Sequence, residues 1–147
     1  MPQDHQTDNE KMLQEIVQNT EMGKNTLEEM MGLTHDQALK AEMLRQKNEY
    51  RRINQKAHTA LDAIGAQAKG QSAAARMSVS MGIRTRTMLD KSSRNLATML
   101  AEGSGQGVMD CKRAEGDYPE ASPGARQLMQ ELCDFQTSAE QTWREFI

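Results

Sequence analysis

Four long stretches of this chain repeat apolar residues at steps of three and four, and nothing in them forces a helix to stop. Proline, which removes a backbone donor and clashes with the preceding turn, stands only at positions 2, 119 and 123, so residues 3–118 hold none. The most regular stripe is Leu39, Met43, Gln46, Tyr50, Ile53, Ala57, Ala60 and Ile64, alternating steps of four and three without a slip. That is the seam of a helix packed at a shallow angle against its neighbours. An all-α four-helix bundle is the expectation.

The first helix is expected over residues 8–31, with Met12, Leu13, Ile16, Val17, Leu27 and Met30 inward and Gly32 as its stop. Thr34 and Gln37 form a Thr-x-x-Gln capping box that opens the second, over 34–64. So short a connection makes these two helices antiparallel neighbours. A third helix is expected over 88–116 and a fourth over 123–146, the latter behind the N-cap and first-turn proline of Ser122-Pro123. Residues 65–89 are a crossover, with Gly65 to Gln71 a flexible linker and Ser72 to Met81 a short amphipathic helix. Residues 1–7 read as a disordered tail, and 8–147 as the bundle. Each main helix would be about 35–45 Å long at 1.5 Å per residue, and the crossover is long enough to travel that length. Two hairpins joined by one long connection follow.

A chain of 147 residues is of one-domain size and buries about two-thirds of its unfolded surface. Aromatics are scarce at 3% while there are 12 methionines, which points to a Met- and Ala-built core, with flexible Met filling irregular gaps. Cys111 and Cys133 form no C-x-x-C and read as reduced thiols of a cytoplasmic protein, a bridge between two helices staying open. The opening residues lack a signal-peptide apolar region, and no segment approaches the ~18 apolar residues of a membrane span. Charge is uneven: residues 1–31 hold seven acidic and two basic groups, 32–94 five and twelve, and 95–147 nine and four, or −5, +7 and −5. A basic middle can attract nucleic acid, but no recognition motif or interleaved aromatic residues accompany it. Acidic helices complementing a basic one within the fold is the favoured reading.

The segments Asn19-Thr-Glu-Met-Gly23, Met81-Gly-Ile-Arg-Thr-Arg-Thr-Met88 and Met99-Leu-Ala-Glu-Gly103-Ser-Gly-Gln-Gly107 resemble uncharacterised ferritin-like proteins of Firmicutes. In those, a Met-rich segment containing Met-Gly-Ile precedes a helix with a Gly-Ser-x-x-Gly step. The resemblance runs from about Asn19 to the C-terminus. It implies a ferritin-like four-helix bundle, in keeping with two hairpins and a crossover, and it implies no activity and no cofactor.

Ferritin-like di-iron sites take one Glu from each of two helices and a Glu-x-x-His from each of the other two. No glutamate here precedes histidine at that spacing: Glu49 leads to Arg52, Glu131 to Asp134 and Glu140 to Trp143, while Gln55 stands before His58. Arginine at the histidine position opposes a cation and tryptophan fills the space, so the ordinary di-iron motif is absent. A carboxylate-only metal site built from Glu21, Glu49, Glu102 and Glu140 is the remaining candidate. Buried carboxylates without cations are costly, so such a cluster would demand a metal or protons. The favoured alternative has all four flanking the seams and reaching solvent. His5 falls in the tail, His35 in the first turn of the second helix and His58 on a helix flank.

Gly103, Gly105 and Gly107 lie within a helix, where each costs about 1 kcal/mol relative to alanine. The run lacks the Lys-Ser/Thr of a phosphate loop and follows no strand. Close packing of Trp143 or Tyr50 on Gly103 and Gly107 is the favoured account, with a kink or a small-molecule contact at that notch as the functional alternative. Arg76, Arg84, Arg86, Lys91 and Arg94 join Met77, Met81 and Met88 in an amphipathic crossover. It either lies Met-inward across the bundle or forms a mobile flap for a partner or a second subunit. No Ser/His/Asp or Cys/His grouping stands out. The expected protein is a non-enzymatic interaction or structural bundle of the bacterial cytoplasm, partnered by another protein or by a second copy of itself. A carboxylate-only metal protein and a weak nucleic-acid binder acting through the basic crossover are the alternatives.

Overall fold

The computed structural model describes residues 6–147, which form five α-helices and no strand: α1 (Asp8–Met31), α2 (Gln37–Ala63), α3 (Ala73–Thr87), α4 (Ser93–Asp117) and α5 (Pro123–Arg144). His5 and most of the expected tail lie outside the described residues; Thr7 is the N-cap of α1, its hydroxyl accepting from the Glu10 N–H at 3.1 Å. None of these helices is long and apolar enough to cross a membrane.

α1 pairs with α2, and α4 with α5. The N-termini of α2 and α4 meet at one end, where the Ser93 hydroxyl donates to Asp36 Oδ2 at 2.7 Å. At the opposite end the α4–α5 loop grips the start of α1: the Ser122 hydroxyl donates to Asn9 at 2.6 Å and the Glu120 N–H to Asp8 at 2.9 Å. α1 and α5 therefore run one way and α2 and α4 the other. The chain must climb the whole bundle between α2 and α4, which is the topology of a ferritin-like bundle. Met12, Ile16, Leu39, Met43, Ile53, Leu96 and Leu132 are wholly shielded in the centre, and Trp143 is almost so.

Several expected boundaries move, each for a local reason. The Thr34–Gln37 capping box does not form. Asp36 caps α2 instead, accepting from the Leu39 N–H at 3.1 Å, while the Thr34 hydroxyl accepts from the Asp36 N–H. The second oxygen of Asp36 also takes the Ser93 hydroxyl, so the carboxylate that caps α2 ties it to the first residue of α4. The α2 seam leaves its expected line after Ala57: Leu61 is buried while Ile64 is 47% exposed. A 3.6-residue helix drifts from a 3.5-residue stripe, and Gly65, at φ +70°, then turns the chain away. The third main helix begins at Ser93 behind the cap of Ser92, not near residue 88. Residues 88–92 connect it to α3, which is 15 residues long and ends at Thr87.

The linker from Gly65 to Gln71, expected to be flexible, is laid along α1. Gln14 donates to the Gln67 carbonyl and accepts the Lys69 N–H at 2.7 Å. Glu21 accepts the Gln71 N–H at 3.0 Å, and Asn25 donates to the Gln71 side chain at 2.9 Å. α3 continues upward against α1, with the Ser80 hydroxyl donating to Glu29 at 3.2 Å. It buries only Ile83 and Thr87 and turns Met77, Met81 and Met88 outward at 68%, 58% and 73% exposure, so the Met-inward arrangement is not the one formed.

Candidate functional site

The four candidate glutamates face four different directions. Glu21 sits between α1 and the crossover, holding the Gln71 N–H, with His58 Nε2 4.0 Å away. Glu49 pairs with Arg52, which also reaches Glu131 across the α2–α5 face. Glu102 pairs with Arg86 of α3 through two hydrogen bonds of 2.9 and 3.2 Å. Glu140 pairs with Arg144 at 2.8 Å. The hydrogen bond from Arg52 holds Glu49 below the usual carboxylate range, and that from Arg86 does the same for Glu102. The arginine at the position expected of a ligand histidine is thus the local counter-ion of its own glutamate. Among the described residues, no three His, Cys, Asp or Glu side chains converge as a metal-holding group.

What does converge at the centre is one neutral polar side chain from each main helix: Asn19 (α1), Tyr50 (α2), Cys111 (α4) and Gln136 (α5). The Gln136 amide is the hub. Its nitrogen donates to Asn19 Oδ1 at 2.8 Å and to Tyr50 Oη at 3.0 Å. Its oxygen accepts from the Cys111 thiol at 3.5 Å and from Asn19 Nδ2 at 3.4 Å. Most buried polar groups are paired in this way. Desolvation pushes the Tyr50 hydroxyl up to about 12 and moves the Cys111 thiol well above its ordinary value; burial also raises Cys133. All three stay protonated at neutral pH. Both cysteines are free and buried.

Glycines make room for the large members of this network. A Cβ on Gly23 would lie 2.4 Å from Tyr50 Cζ, and one on Gly107 would lie 2.3 Å from Gln136 Nε2. Gly103, expected to pack against an aromatic ring, behaves differently: a Cβ there would meet nothing within 4 Å. It borders a cavity of about 160 Å³ between α1 and α4, whose wall includes Leu27, Met99, Leu100 and Trp143 and whose inner end is formed by Gln46, Tyr50, Ser104 and Gln136. The exposed residues Met22, Gly103 and Gln106 mark its mouth. The notch at the Gly103 run is therefore a hollow, whereas ring packing falls to Gly23 and amide packing to Gly107.

Asn19 and Ser104 carried no signal in the sequence, because amides and hydroxyls on an apolar stripe look like interruptions of it. Gln46, Tyr50 and Gln136 stood in the seams only as placeholders for the period. The usable clue was three polar residues holding seam positions whose neighbours are apolar. No family model, no curated protein and no solved structure matches this chain.

Proposed function

We propose that the protein is a non-enzymatic ferritin-like bundle, related to the uncharacterised Firmicutes proteins it resembles and acting in the bacterial cytoplasm, which works by holding a small molecule in the α1–α4 cavity. The observation that carries this reading is the cavity itself: apolar walls, a few convergent polar groups at the inner end, and a mouth at Gly103 where no side chain intrudes. Such a combination is the usual form of a small-molecule site in a helical bundle. The non-catalytic part is supported by thiols driven away from their reactive form and by carboxylates matched to arginines. Toluene added to the full-length protein tests the reading. A saturable rise in melting temperature is expected, lost when Gly103→Leu fills the mouth without loss of helicity. No shift with wild type at saturating toluene or phenol overturns it.

A second reading rests on α3. Its outward face carries Met77, Met81 and Met88 beside Arg76 and Arg84, and residues 63–89 contain no acidic side chain. This face is the interaction surface expected of the crossover, for another protein or a second copy of the chain. Sedimentation of wild type against Met77→Ser/Met81→Ser tests self-association. Salt-sensitive DNA binding lost on neutralising Arg84 and Arg86 would instead assign the face to nucleic acid.

A further inference from the structure

The inner end of the cavity holds more hydrogen-bonding capacity than the protein uses. The Tyr50 hydroxyl accepts from Gln136 but, among the described residues, donates to nothing. Gln46 donates to Glu42 at 2.8 Å, and its carbonyl oxygen accepts from nothing there. The Ser104 hydroxyl has no partner among the described residues, not even the carbonyl one turn back that Thr20 and Thr87 use. These residues are only 5%, 1% and 5% exposed, and all three line the cavity. Buried polar groups left unpaired are costly and rare. Three around one hollow mark a place where a guest completes the bonding.

We infer that this guest is a neutral, ring-sized molecule bearing a hydroxyl group, of the phenol or aromatic-alcohol class, and this rests on the cavity being a ligand site. Size comes from the volume of about 160 Å³, close to the ~150 Å³ hollow that accommodates benzene in an engineered core. The apolar walls receive the ring. A hydroxyl fits the leftover groups in both senses, accepting from Tyr50 or Ser104 and donating to the Gln46 carbonyl. Neutrality follows from the wall. No Lys, Arg or His lines the cavity to balance an anion. Its one carboxylate, Asp110, already accepts from Gln106 at 3.1 Å and faces Arg113 at 3.7 Å.

The test uses the full-length ¹⁵N-labelled protein and two probes of nearly equal shape, phenol and toluene, followed through the Gly103 and Gly107 amides and the Trp143 indole. Phenol should bind roughly fivefold more tightly than toluene, the usual net worth of one buried hydrogen bond. Tyr50→Phe keeps the ring and deletes the spare donor, and should bring the ratio close to one while toluene still binds. Should Tyr50→Phe fail to fold, Ser104→Ala, which removes no existing hydrogen bond, should lower the ratio in the same direction. Equal affinities for phenol and toluene in wild type would overturn the ligand class and leave the cavity reading standing. Binding of benzoate or benzylammonium as tight as that of phenol would overturn neutrality. If neither ring moves these resonances, the hollow holds only water, and both the class and the cavity reading fall.

Discussion

Gly23→Ala isolates the packing on which the bundle centre depends. The new methyl would lie 2.4 Å from Tyr50 Cζ and 2.6 Å from both Cε atoms, well inside contact distance. Tyr50 has no easy retreat. Its ring is 5% exposed, meets Phe135 edge-on at 4.9 Å, and holds Gln136 Nε2 at 3.0 Å through its hydroxyl. Moving the ring strains that set. Overpacking a filled core costs about 1–3 kcal/mol and a lost internal hydrogen bond about 1 kcal/mol, while replacing a mid-helix glycine by alanine returns about 1 kcal/mol. The net is a loss of roughly 2 kcal/mol, or about 4–8 °C in melting temperature for a chain of this size. Gly103→Ala is the matched control, since its methyl enters open space and only the helix gain of about 1 kcal/mol remains. Thermal melts and urea titrations of both variants should therefore move in opposite directions. A second check is Tyr50→Leu, which should cost less in the Gly23→Ala background than in wild type, because the methyl occupies space the ring has left. If Gly23→Ala is as stable as wild type, the ring is not wedged against α1 and the account of the centre is wrong.

Ile53 is wholly shielded in the α2 seam, so Ile53→Asp should place an unpaired carboxylate in the core and abolish the folded state at neutral pH; retained far-ultraviolet helicity with a cooperative melt would contradict the seam. Stability should fall as pH climbs above about 8.5, the ordinary thiol value. There the unfolded chain releases Cys111 and Cys133 protons that the folded chain, its thiols raised by burial, retains. The slope approaches about 1.4 kcal/mol per pH unit for a buried thiol, and Cys111→Ala should flatten it; equal slopes in denaturation series at pH 8 to 10 would refute the assignment. Asp36→Ala should lower the melting temperature and increase amide exchange at the starts of both α2 and α4, because Asp36 bonds the Leu39 N–H and Ser93 together. Exchange confined to α2 would show that the Ser93 bond contributes nothing.

The fold was legible because its signal is additive along each helix. Met12, Ile16, Leu39, Met43, Ile53 and Leu132 each repeat the same message of period and apolarity, and all end in the core. The crossover was legible from its length and glycines, but not in its course. Its attachment to α1 depends on Gln14, Glu21 and Asn25 reaching backbone and side-chain atoms some fifty residues away, which no local pattern encodes. The same limit hid the capping of α2, where Asp36 also meets Ser93, 57 residues away. The site was least legible. Glu21, Glu49, Glu102 and Glu140 were singled out by residue type at plausible heights, yet helix rotation sends each to its own interface. A rotation of one residue, about 100°, separates a seam position from a flank, and residue type alone does not fix it.

The cavity follows from how the centre is filled. A cation held between four helices needs negative charge close by to offset its desolvation. The helices here bring an amide, a phenol, a thiol and a second amide to the same level, which bond to one another and leave no net charge. The two bulkiest members need space, and glycines opposite them provide it, Gly23 on α1 beneath Tyr50 and Gly107 on α4 beneath Gln136. The ring and the amide line the hollow between α1 and α4, one turn from Gly107. At Gly103 no side chain is present to fill the gap, and Ser104 and Gln46 border it with their polar groups unused. The hollow and its surplus hydrogen-bonding capacity thus have one origin, a neutral network whose own bonds are nearly closed and whose spare Tyr50 hydrogen lies at the cavity wall.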